Sequence, residues 1–383
     1  MPGQDRRIAA SLLLVILFLI VFGSLYPFSF SASPDRPIDL VRQLTFSGTT
    51  RSDVAANVLL YLPFGACLAW LASRRFGTLV AVATATIAGA GLSFAIEFAQ
   101  LYETRRVASL ADLTSNTIGA FAGAWLALAI AKTGGRPQAS PFAGVLRHPV
   151  AAALLFSWIG YRLAPFAPAL DPAKWGTALR PLLHDGGLAP GALFSHALAW
   201  LILAAIAARM AARPLALAGS AMAIVLAGRI LFAGTALEAP EIGGMALALA
   251  LAPFALRLPP PRLALLLACA LIVSVAIEGL APFDFQLAQD RFAFLPFGES
   301  LTQYRAANLP DMFLRCFVNG ALVWLMVQGG LSVPAATGVG AGVVFSIELL
   351  QTWLPAKTAE LTDPLLATAA GGLIALFESD RRR

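Results

Sequence analysis

Apolar residues fall in long blocks that short polar or glycine- and proline-marked segments interrupt. The blocks run over Ile8–Leu25, Asp53–Ala72, Thr78–Leu101, Leu110–Ala131, Pro149–Ala164, Ala192–Ala208, Leu215–Ala233, Ile242–Leu256, Leu263–Leu280, Asp311–Val327, Leu331–Leu350 and Asp363–Phe377. Each is apolar all round rather than along one stripe, unlike a soluble surface helix. Most approach the roughly 17–25 residues that cross a bilayer as a helix. The pattern predicts an all-α, polytopic helical membrane protein of about twelve transmembrane helices.

The interruptions sort these helices into three four-helix units, at 1–132, 146–257 and 261–378. Gly134, Gly135 and Pro137 mark the first boundary, and the Arg257-Leu-Pro-Pro-Pro-Arg262 stretch marks the second. The first helix of each unit ends in Pro-Phe, at Pro27-Phe28, Pro165-Phe166 and Pro282-Phe283, and a longer polar loop follows. An even number of helices per unit makes the three run parallel. Ile8–Leu25 reads as an uncleaved first span, because it is long and no small-residue cleavage site follows closely.

Composition sharpens the class. Of 383 residues, 58% are hydrophobic and 13% charged, about half the charge of an ordinary soluble domain. The net charge of +6 is spread over short loops, so no basic patch for nucleic acid is expected. Arg6, Arg7, Arg74, Arg75, Lys132, Arg136, Arg147, Arg209, Arg213, Arg257, Arg262 and Arg381 to Arg383 fall on one predicted side, and most acids on the other. Basic residues mark the cytoplasmic face, which puts both termini there. Cys67, Cys269 and Cys316 sit inside apolar blocks and show neither a disulfide framework nor metal-ligand spacing. No nucleotide fingerprint, nucleophile elbow or other cofactor motif is present, so no cofactor and no metal is expected.

One polar pattern occurs twice. Glu97 is followed by Gln100 at +3, Arg106 at +9 and Asp112 at +15, and Glu348 by Gln351, Lys357 and Asp363 at the same offsets. Glu97 and Gln100 share a helix face one turn apart, and Asp112 opens the next helix, where the dipole favours a carboxylate. Asp53 and Asn57 lie a turn apart at the start of the second helix, and Asn116 a turn beyond Asp112. Packing of these helices would gather the groups at the outer membrane interface. Ionisable groups at membrane depth are functional candidates by default. The competing structural reading makes Asp53 and Asp112 helix caps and Glu97 with Arg106 an ion pair that locks the turn. Asp311 is the corresponding second-copy candidate beside Glu348, Gln351, Lys357 and Asp363. The middle unit lacks the spacing, and its Arg229 is expected to pair with Glu238 or Glu241 or to reach outward.

At these residues the chain resembles the VanZ-like family of bacterial membrane proteins. The N-terminal unit carries Asp53-x3-Asn57-x5-Pro63-x-Gly65, Ser93-x3-Glu97-x2-Gln100, Arg106 and Asp112-x3-Asn116-x2-Gly119 in the family's order. The C-terminal unit looks like a divergent copy through Leu295-Pro296-Phe297, Tyr304, Glu348, Gln351, Lys357 and Asp363, with Arg315 and Ala367 where asparagines would stand. The resemblance implies a bacterial inner-membrane protein of the cell envelope. The family is named for a protein that gives low-level teicoplanin resistance, a trait not carried over to this chain. The expected function is non-catalytic recognition of an envelope lipid or lipid-linked glycan at the outer face. The alternatives are an enzyme on a lipid-linked substrate with Glu97 or Asp112 as general base, and a transporter. The polar groups lie at helix ends rather than at the midplane sites of transporters.

Overall fold

The computed structural model describes residues 2–25, 30–31, 46, 51–103, 108–133, 147–164, 166, 172–184, 187–232, 234–286, 292–294, 309–355 and 357–378. Pro27-Phe28, Arg106, the 134–146 linker, the 295–298 segment and Tyr304 lie outside them. The described chain is helical, with no strand beyond isolated bridges. Its helices are α1 (Pro2–Leu25), α2 (Arg51–Ala72), α3 (Thr78–Gln100), α4 (Leu110–Thr133), α5 (Pro149–Leu163), α6 (Pro172–His184), α7 (Pro190–Met210), α8 (Pro214–Leu231), α9 (Ala239–Ala255), α10 (Pro260–Leu280), α11 (Leu309–Gln328), α12 (Val333–Gln351) and α13 (Thr362–Glu378).

Each apolar block is therefore a helix, and proline opens many of them. It stands in the first turn of α5, α7, α8, α9, α10 and α12, where its missing N–H costs nothing and its fixed φ suits the helix. Among the described residues six helices, α3, α7, α8, α10, α11 and α12, are long and apolar enough to cross a membrane by length and composition. Their outward faces are apolar too: Leu79 is 72% and Ile87 71% exposed. A water-facing helix would not carry such a surface, whereas lipid tails solvate it at no cost.

The helix α6 is an addition to the expectation, which had only a polar loop there. Trp175, Ala178, Leu179 and Leu182 recur at helical spacing, and Ala178 is buried. The Ala178 carbonyl accepts the Leu237 N–H at 2.9 Å, so the helix is pinned to the segment before α9.

The chain divides into two compact units, residues 1–147 with 166–168, and residues 148–165 with 169–383. In the first, α1 packs on α2 and α3, α2 on α3 and α4, and α3 on α4. The α2–α4 seam is the tightest. A Cβ built on Gly65 would collide with the Ala120 carbonyl, one on Gly123 with the Leu62 carbonyl, and one on Gly119 with the Val58 carbonyl. Membrane helices have no water to expel, so such close backbone approach supplies the packing energy. Around the seam, Ile20, Tyr61, Phe64, Ile96 and Ala120 form one buried cluster, and Ala69, Ala81, Val82, Ala85, Ala124 and Leu128 another.

The second unit contains two sets of four helices with the same neighbour scheme. In one, α5 packs on α7 and α8, α7 on α8 and α9, and α8 on α9. In the other, α10 packs on α11 and α12, α11 on α12 and α13, and α12 on α13. The sets join through α11 against α5 and α10 against α7. Aromatic contacts knit that junction, with Trp158 4.9 Å from Phe317 and 6.1 Å from Trp200, centroid to centroid. Phe166 and Phe283 both take left-handed backbone, at φ 59° and 65°. Phe166 and Phe283, which follow α5 and α10, thus share this turn of the backbone, at a local cost of about 1–2 kcal/mol for a residue with a side chain.

Candidate functional site

Helix ends leave backbone groups unpaired, and the repeated polar pattern answers that need. Glu97 and Gln100 occupy the last turn of α3. Glu97 is 2% exposed, and its Oε2 accepts the Ser109 backbone N–H at 2.7 Å. Ser109 directly precedes α4 and caps it, its Oγ accepting the Ala111 N–H at 3.1 Å. The carboxylate therefore sits at the positive end of α4. Gln100 Nε2 donates to the Ser24 carbonyl in the last turn of α1, at 2.8 Å. One turn deeper, Asn116 Nδ2 donates to Ser93 Oγ at 2.9 Å, and the Tyr61 hydroxyl lies beside Ser93.

Asp112 lies in the first turn of α4, half-buried and close enough to Glu97 for their charges to interact. Asp53 is exposed in the first turn of α2, and Asn57 is half-buried a turn later. Neither aspartate occupies the cap position itself: α4 starts after Ser109 and α2 starts at Arg51. The ends of α1 and α3 and the starts of α2 and α4 thus bring Asp53, Asn57, Glu97, Gln100, Asp112 and Asn116 to one end of the bundle. Arg106 lies outside the described residues, so the Glu97–Arg106 pair has no described geometry.

The C-terminal pattern makes the same two bonds from its glutamate and glutamine. Glu348 is buried, and its Oε2 accepts the Glu360 N–H, again twelve residues on, at 2.9 Å. Gln351 Nε2 donates to the Gly279 carbonyl in the last turn of α10 at 3.0 Å. A loop bond recurs as well: Ser31 N–H donates to the Tyr102 carbonyl and Gln286 N–H to the Trp353 carbonyl, both at 2.8 Å.

Departures fall where the motif departs. Arg315, in the place of Asn57, pairs with Asp311 at 2.9 Å, Glu360 at 3.1 Å and Asp363 at 3.4 Å. Asn319 Nδ2 donates to Asp363 Oδ1 at 3.0 Å, and Glu348 neighbours Asp363. Lys357 Nζ donates to the Glu278 carbonyl at 3.0 Å. Every second-copy candidate is thus engaged inside the protein.

The middle set joins the same junction by charge. Arg162, in the last turn of α5, meets Glu241 in the first turn of α9 at 2.6 Å, and Arg229, in the last turn of α8, reaches the same carboxylate at 3.2 Å. Arg229 therefore pairs with Glu241 rather than snorkelling. Ser109, Ser24, Glu360 and Arg162 escaped sequence reasoning. Ser109-Leu-Ala-Asp112 has the S-x-x-D form of a helix start, which was the available signal, and a lone arginine closing an apolar block was the signal for Arg162.

The helices and this end cluster define an all-α protein of membrane type. Residues 9–131 match the model of the VanZ/LLP1 family, so the N-terminal unit is VanZ-like. No curated protein matches the chain, and no solved structure does. Among the described residues no group of three or more His, Cys, Asp or Glu side chains is placed to hold a metal ion.

Proposed function

We propose that this chain is a bacterial inner-membrane protein of the cell envelope that recognises an envelope lipid or lipid-linked glycan at the polar end of its N-terminal unit. One observation carries the reading: carboxylates and amides from α2, α3 and α4 gather at one end of a bundle that is apolar elsewhere. Glu97 and Gln100 act there as positioning residues, since their hydrogen bonds already go to Ser109 and Ser24. Asp53, Asn57, Asp112 and, by its place in the sequence, Arg106 are the groups that contact the headgroup. An arginine supplies paired donors for phosphate or carboxylate, and the amide and carboxylates accept sugar or amide hydrogens.

On this reading the chain makes twelve spans with both termini cytoplasmic, so this end faces the extracytoplasmic side, where lipid-linked glycans reside. The shared neighbour scheme of the three helix sets supports the internal repeat. A membrane enzyme on the same class of substrate is the alternative, and the burial of Glu97 would leave Asp112 as its base, since a base must reach the proton it takes. Topology tests the proposal. Reporter fusions after Arg75 and Arg136 should read cytoplasmic, and fusions at Thr45 and Thr104 external. The opposite pattern would place the cluster in the cytoplasm and end the envelope-lipid reading.

A further inference from the structure

The second unit holds a cavity of about 400 Å³ among α5, α7, α10 and α11, within the range of small-ligand pockets. Its walls differ in chemistry. On one side stands Glu278, in the last turn of α10. Its Oε1 accepts hydrogen bonds from Ser274 Oγ at 3.1 Å and from Ser195 Oγ across on α7. The two hydroxyls are 3.3 Å apart. Two helices thus fix one oxygen of this carboxylate, while Oε2 has no protein hydrogen bond and no ion pair among the described residues. The nearby Lys357 donates instead to the Glu278 backbone carbonyl.

On the other side stand Trp158 and His196. Trp158 is only 3% exposed. Among the described residues its Nε1 and the His196 Nδ1 have no hydrogen-bond partner, which is costly for buried groups. Behind His196 lie Arg162, Arg229 and Glu241, two guanidiniums on one carboxylate, with the exposed Glu238 near Arg229. The remaining lining is apolar, from residues such as Leu271 and Leu314.

We infer that this cavity binds the headgroup of an amine-bearing phospholipid, its primary ammonium on Glu278 and its phosphate towards the Trp158 and His196 wall. The carboxylate calls for a cation that can donate N–H. The opposite wall, with the Trp158 Nε1–H unpartnered among the described residues, calls for a hydrogen-bond acceptor such as a phosphate oxygen. A simple anion would meet Glu278, and a quaternary ammonium has no hydrogen to give it. The apolar lining accommodates the start of the acyl chains. The site lies in the second unit and does not rest on the N-terminal reading.

The test is native mass spectrometry of the full chain released from nanodiscs of equal phosphatidylethanolamine, phosphatidylcholine and phosphatidylglycerol. The wild type should retain phosphatidylethanolamine preferentially. Glu278→Gln should lose about tenfold in that retention, the scale of one charged hydrogen bond. Ser195→Ala, which keeps the charge but frees the carboxylate, should lose less, with melting temperatures unchanged in both. Equal retention of the three lipids by the wild type would overturn the inference. So would undiminished phosphatidylethanolamine retention in Glu278→Gln, or a loss in both variants that only tracks reduced melting temperature. Binding of soluble phosphoethanolamine without any lipid preference would overturn the lipid assignment.

Discussion

Replacement of Glu97 by Leu tests whether the family glutamate acts through the backbone it meets. The substitution keeps the volume and removes the acceptor, so the Ser109 N–H, 2.7 Å from Glu97 Oε2 in a buried site, is left unpaired. An unsatisfied buried donor costs about 1–3 kcal/mol, and loss of a carboxylate at the start of α4 adds about 0.3–1 kcal/mol. A total of about 1–4 kcal/mol corresponds to a fall of roughly 3–15 °C in melting temperature for a unit of this size. Glu97→Gln keeps an oxygen that accepts the same N–H, and should lose less than half as much. Cys67 is buried in the first unit, so its labelling by a thiol-reactive dye, in a Cys269→Ser/Cys316→Ser background, reads the melting of that unit. An unchanged melting temperature in Glu97→Leu would refute the lock. Equal losses in the Leu and Gln variants would show that charge, not the hydrogen bond, is what Glu97 contributes.

Glu348→Leu should cost a similar amount, and its effect should add to that of Glu97→Leu in denaturation of the double variant, because the two share no partner. Gly123→Leu drives a side chain into the Leu62 carbonyl and should abolish the monodisperse peak of the detergent-solubilised protein in size-exclusion chromatography. Glu241→Leu leaves Arg162 and Arg229 buried together, which should cost about 3–5 kcal/mol. The triple variant Arg162→Met/Arg229→Met/Glu241→Leu should recover most of that in the same melting assay.

The helices were legible because membrane solvation writes them into composition. A block such as Thr78–Leu101 is apolar on every side, and the observed α3, Thr78–Gln100, ends within a residue of it. Helix α6 was missed because an amphipathic stripe around Trp175 and Leu179 is diluted by Lys174, Thr177 and Arg180. For the site, spacing revealed that Glu97 and Gln100 share a face but not what the face meets. Their partners are a backbone N–H and a backbone carbonyl, which carry no side-chain signature. Arg315 shows the opposite case. Its place in the motif was readable, yet its three carboxylate partners come from α11, the approach to α13 and the first turn of α13, and only the fold assembles them. Ser195 and Ser274 were silent because a serine in an apolar helix ordinarily bonds its own backbone.

Mass spectrometry of the lipids that co-purify with wild-type protein and with an Asn57→Ala/Arg106→Ala variant tests the central claim most directly. The claim predicts a glycolipid or prenyl-phosphate species that is enriched in the wild type and absent from the variant, with melting temperatures alike. The same bulk phospholipids in both, at equal stability, would contradict it.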